Sequence, residues 1–212
     1  MRIVVFAGPS IEPEACARFP VELRAPVRRG DIDALVAEET PPDRIGIVDG
    51  QFLQGLMLSP KEVLRAMDDH GVQVYGSSSL GALRAAELAG HGMKGVGQVF
   101  ELYHSGRVDA DDEVAITFDP DSLRALCEPM VNIRIAMAAA AQSGAVTAEL
   151  ADAALDIAKT LYFPDRTYAR VLHELAAQAG EAELRDLRAF LENGAPNAKR
   201  ADAITLLEEI SA

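Results

Sequence analysis

Apolar positions in the first half of the chain come in short unbroken runs, each stopped by a turn signal. Arg2 to Ala7 closes on Gly8-Pro9-Ser10, and Val21 to Val27 closes on Arg28-Arg29-Gly30-Asp31. Arg44 to Val48 closes on Asp49-Gly50, and Val72 to Tyr75 closes on Gly76-Ser77-Ser78-Ser79. Between the runs the apolar spacing becomes helical, which predicts helices near residues 12–19, 31–39, 60–70 and 79–90. Apolar strands separated by helices point to a parallel sheet covered on both faces. The best-marked helix starts at Ser59-Pro60, with Ser59 as cap, Pro60 in the first helical position and Glu62 three residues after the cap.

The texture changes after Glu113. Val114 to Phe118 predicts one more strand, and from about Pro129 an Ala- and Leu-rich pattern predicts helices over 130–143, 147–161, 166–179, 181–192 and 198–210. The expected fold class is α/β: a parallel-rich, Rossmann-like sheet with flanking helices over residues 1–118, followed by an α-helical C-terminal domain over residues 119–212.

Charge narrows the function classes. The 212 residues carry 20 Lys and Arg against 33 Asp and Glu, a net charge of −13, which argues against a general nucleic-acid binder, whose affinity comes from basic side chains on phosphates. A hydrophobic share of 49% with 25% charged residues is enough to bury a core. The two cysteines, Cys16 and Cys127, are far apart with no CxxC spacing, and His/Cys clusters and the HExxH spacing are absent. No metal and no cofactor is therefore expected. The opening segment lacks a signal-peptide pattern, and no apolar run reaches the roughly 18 residues of a membrane helix. The expectation is a cytoplasmic protein without a membrane partner.

Ligands of open parallel sheets bind beyond the carboxyl ends of the strands, where four polar or glycine-rich elements should gather. Gly8, Pro9, Ser10, Gly50, Gly76, Ser77 and Gly81 are candidate binding residues on this ground. The segment Gly76 to Leu88 stands out, because a strand, a Gly, three serines and a helix would present N–H groups and hydroxyls at a positive helix end. Three readings of it stay open: helix-capping serines, an anion receptor, or a nucleophile on a strand-to-helix turn. It departs from the G-x-S-x-G elbow in having Leu80 where Gly is required. Arg84 and Glu87, three apart on the same helix, can pair with each other or serve a ligand. His91 is a candidate base, and Asp112 and Glu113, in the acidic run from Asp109, are candidate carboxylates for positioning a water.

With these residues in view, the sequence resembles the TfuA-like protein family. The likeness runs from Asp49-Gly50 through GSSSLGALRAAEL at 76–88 and HGMKGVGQVFELYHSGRVDADDEVAI at 91–116. Gly8-Pro9-Ser10 and Arg29-Gly30-Asp31 precede it. Glu128 to Arg134, Asp165 to Tyr168 and Lys199 to Ala203 continue it, so it covers most of the chain. The family's central motif more often reads Gly-Ala-Ser-Ser-Met, so Ser78 and Ser79 are the matched serines while Ser77 and Leu80 depart.

The resemblance implies an accessory role beside a YcaO-type cyclodehydratase, which activates a backbone amide with ATP for conversion to a thioamide. The accessory protein would release or transfer sulfur from a thiocarboxylated sulfur-carrier protein, or else recruit that donor and activate the YcaO enzyme without chemistry of its own. On the first reading Ser78 and Ser79 flank an oxyanion site, and Asp49, Asp112, Glu113 or His91 supplies the base. Homo-oligomerisation is left open.

Overall fold

The computed structural model describes residues 1–52 and 55–212. Five parallel strands, β1 (Ile3–Phe6), β2 (Glu22–Arg24), β3 (Arg44–Ile47), β4 (Gln73–Ser77) and β5 (Lys94–Val96), form one sheet in the order β2-β1-β3-β4-β5. The register pairs Val4 with Ile45, Ile45 with Val74 and Gly76 with Gly95. That is a doubly wound order whose direction reverses between β1 and β3, which defines the crevice where such sheets take ligands.

The helices α1 (Pro13–Cys16), α2 (Asp31–Val36), α3 (Pro60–Asp68), α4 (Leu80–Leu88) and α5 (Gln98–His104) follow the successive strands. Helix α3 is set by its sequence as expected: the Ser59 hydroxyl accepts from Lys61 N–H, and the Glu62 carboxylate accepts from Ser59 N–H at 3.3 Å. Glu62 also accepts from Gly30 N–H at 2.6 Å, so the same cap fastens the loop before α2.

Strand alternation sorts the core. Ile3, Val5 and Ala7 face a cluster with Cys16, Val48, Tyr75 and Val96, completed by Ala203, Leu206, Leu207 and Ile210 of the last helix, α10 (Ala198–Ser211). The chain accordingly divides into two compact units, residues 1–111 with 199–212, and residues 112–198. The sequence reading grouped the last helix with the C-terminal helices. Its apolar stripe, spaced three and four apart, lies instead in the core of the α/β unit. Polar ties hold it there: Arg44 Nη1 donates to the Ile210 carbonyl at 2.7 Å, and the Asp202 carboxylate accepts from Gln98 and Val99 N–H at 2.9 and 2.7 Å, capping α5.

The second unit contains α6 (Met130–Ser143), α7 (Ala148–Thr160), α8 (Tyr168–Leu175) and α9 (Glu181–Gly194) around Met130, Ile133, Met137, Leu150, Ala154, Leu175 and Leu187. Thr147 and Thr167 cap α7 and α8 through their hydroxyls.

A further expectation is corrected. Residues 114–118 are not a strand of the sheet: Val114 and Ala115 are buried, but of this run only Phe118 forms a bridge, antiparallel to Ala125, and Thr117 N–H donates to Cys127 Sγ. The edge position beside β4 is taken by Lys94–Val96, which the chain reaches through α4 as the parallel crossover requires. Helix α5, unpredicted, follows it directly.

Candidate functional site

The sharpest local geometry lies between β4 and α4. Ser78 has φ +67°, one of two non-glycine residues with positive φ among the described residues. Ser79 N–H donates to the Ser77 carbonyl at 2.7 Å, closing a three-residue turn centred on Ser78. A serine held there costs roughly 1–3 kcal/mol, and such strain persists only where packing enforces it. Ser77, Ser78 and Ser79 are all buried, and the hydroxyls of Ser77 and Ser78 have no hydrogen-bond partner. Leaving a buried hydroxyl unpaired costs about 1–3 kcal/mol more. Strained backbone and orphaned hydroxyls coincide on one turn.

Two glycines make that turn. A Cβ on Gly81 would overlap the Ile47 carbonyl, and one on Gly76 would meet Ala85 and Met93. Both let α4 descend onto β3 and β4. Gly81 N–H donates to the Val48 carbonyl at 3.3 Å, and a Cβ on Gly50 would strike Leu80. The end of β3 is thus packed against the start of α4.

Across the crevice, Asp49 is buried and its carboxylate accepts three hydrogen bonds: from Gly8 N–H at 2.9 Å, Ser10 N–H at 3.0 Å and the Ser10 hydroxyl at 2.6 Å. Asp49 also accepts through its main-chain carbonyl from Val27 N–H at 2.9 Å. The ends of β1, β2 and β3 are knitted together by this residue. Outside them an open cavity of about 420 Å³ is lined by Phe6, Arg24, Pro26, Arg28, Asp31 and Ala34, and Pro26 abuts Gly8 so closely that a Cβ there would touch its ring.

The structure therefore brings Gly8, Pro9, Ser10, Asp49, Gly50, Gly76, Ser77, Ser78, Ser79 and Gly81 to the carboxyl edge of one sheet. Arg84 lies on α4 beneath this edge with its side chain buried; Nε donates to the Leu58 carbonyl at 3.0 Å and Nη1 to Glu87 at 2.7 Å. His91 is not brought to the edge. It is exposed on a single 3-10 turn after α4, twelve residues on from Ser79 and roughly 18 Å away along the helix axis at 1.5 Å per residue.

Asp112 and Glu113 stand in the second unit with cations of that unit. Asp112 pairs with Lys159 and Arg166, each at 2.9 Å, and Glu113 with Arg134 at 2.8 Å and Lys159 at 3.0 Å. Arg166, Arg134 and Lys159 had no role assigned from sequence; no local pattern marks them, because their partners are 21 to 54 positions away. Burial raises both carboxyls, but hydrogen bonds and charge from these partners outweigh it and hold both below the ordinary range. For depressed carboxyls the stabilisation is complete above the unfolded values, about 3.9 and 4.3, and is lost as pH falls through the lower folded ones. The urea midpoint is expected to fall steeply below about pH 4, and Glu113→Gln to shrink that fall, as a pH series of urea titrations would report.

Among the described residues no group of three or more His, Cys, Asp or Glu is placed to hold a metal ion, and no helix is long and apolar enough to cross a membrane. No curated protein matches the sequence. The TfuA-like protein family matches residues 49–167, more than half of the chain, from the crevice aspartate through the serine turn to the Arg166 ion pairs. On that match the chain belongs to the TfuA-like family.

Proposed function

We propose that this protein serves YcaO-dependent thioamide formation in ribosomally made peptides or proteins, and that it releases or transfers sulfur from a thiocarboxylated carrier protein at the β4–α4 turn. Family membership supports the accessory role at family level; the sulfur chemistry is the finer reading. The observation that carries it is the coincidence of a positive φ at Ser78 with unpaired, buried hydroxyls on Ser77 and Ser78. A carrier tail ending in a thiocarboxylate is an anion that both hydroxyls can bond, which offsets the cost of leaving them unpaired. Attack of water on the carbonyl carbon breaks the C–S bond, giving the carrier carboxylate and hydrogen sulfide. The Ser78 hydroxyl and the N–H groups around Ser78 and Ser79 hold the developing oxyanion.

A specific observation favours the second reading, recruitment without chemistry: no carboxylate or imidazole is hydrogen-bonded to the Ser78 hydroxyl. One pair of measurements separates the two. On the catalytic reading the isolated protein releases sulfide from the thiocarboxylated carrier, and Ser78→Ala lowers the rate at least tenfold. If the protein releases none above background yet raises YcaO turnover with free sulfide, recruitment stands instead. Ser78→Gly separates function from folding: glycine tolerates the turn, so stability is expected to hold or rise by about 1 kcal/mol while activity falls. A loss of stability alongside activity would make Ser78 a structural residue.

A further inference from the structure

The loop after β1 lies at the reversal of strand order, where doubly wound sheets take the anionic part of a ligand on backbone N–H groups. In this chain those donors are already engaged. Gly8 and Ser10 donate their N–H groups, and Ser10 its hydroxyl, to the one carboxylate of Asp49, and Pro9 between them has no N–H. Asp49 is 2% exposed and forms no ion pair among the described residues, so three oriented donors alone meet its charge. That is the coordination a bound anion receives in such a loop.

We propose that Asp49 is a built-in anion filling an anion-binding loop, and that it sets specificity by barring phosphate- and carboxylate-bearing ligands from the β1/β3 crevice. An external anion would have to displace a tethered carboxylate that makes three hydrogen bonds, and would bring a second negative charge against it if it did not. The proposal stands apart from the sulfur chemistry, because it holds whatever the serine turn binds. It commits three of the four lone pairs of the Asp49 carboxylate and makes Asp49 a positioning residue for the Gly8-Pro9-Ser10 loop.

The test uses the full chain with sodium formate and sodium phosphate as probes and sodium chloride at matched ionic strength as control. Asp49→Ala removes the internal carboxylate and leaves room for a small one. Its Tm is expected below that of the wild type and to rise by roughly 3–6 °C with tens of millimolar formate, while the wild type moves no more than in chloride. Asp49→Asn, whose amide fills the same space, is expected to be destabilised without rescue. Should Asp49→Ala not fold in chloride, refolding in formate is the expected result, and Asp49→Ser provides a second small side chain for the same measurement. The proposal is overturned if neither small variant gains more from formate or phosphate than the wild type. It is equally overturned if wild-type protein binds phosphate saturably at millimolar concentration and Asp49→Ala abolishes that binding.

Discussion

Gly81→Ala is expected to destabilise the α/β unit by about 3 kcal/mol or more, although alanine is the better helix former by about 1 kcal/mol. The sign reverses because the added methyl would lie inside the Ile47 carbonyl group. Its neighbour is strand backbone in the middle of the sheet, which cannot swing aside like a side chain, so α4 must lift off β3. The lift would break the Gly81 N–H bond to the Val48 carbonyl and release the packing that holds Ser78 at positive φ. Gly90→Ala is the control, since nothing lies within 4 Å of a Cβ there; it should change stability by less than about 0.5 kcal/mol. Equal effects at the two positions in urea unfolding would refute the close approach of α4.

Arg166→Met is expected to cost the helical unit about 3–4 kcal/mol. The guanidinium is 1% exposed and donates to the Ala158 carbonyl at 3.0 Å, the Asp112 carbonyl at 3.1 Å, the Leu161 carbonyl at 3.3 Å and the Asp112 carboxylate at 2.9 Å. Methionine fills the space but leaves buried acceptors unpaired, and that penalty exceeds the modest net worth of the bonds themselves. Arg166→Lys should recover little, because an ammonium group cannot reach four acceptors arranged around a planar fork. Arg170→Met, which removes an exposed pair with Glu174, should cost under about 0.5 kcal/mol. Urea titrations followed by far-UV circular dichroism would rank the three.

Strands β1, β3 and β4 were readable because each is an apolar run with a turn signal behind it. Strand β5 was not. Lys94-Gly95-Val96 is three residues long and sits among four glycines, so it reads as loop; it pairs because α4 returns the chain to the edge of β4. Val114 to Phe118 has strand composition, but it joins no strand of the sheet and only Val114 and Ala115 are buried. The periodicity of α10 announced a helix with an apolar stripe, yet no local pattern says which core that stripe will join. The serine turn was legible as a polar strand-to-helix junction. The positive φ at Ser78 was not, since it follows from the distance at which Gly76 and Gly81 let α4 approach. Asp49 read as a turn residue with a free carboxylate, and only the fold brings Gly8 and Ser10 to it from 41 and 39 positions away.

Residues 199–212 complete a core begun at residue 3, and everything in the helical unit is made between the two. The helical unit precedes α10 in the chain, so it can fold during synthesis while the sheet still lacks Ala203, Leu206, Leu207 and Ile210 on one apolar face. A chain cut before residue 199 would keep the helical unit intact but leave the serine turn on a sheet that lacks α10.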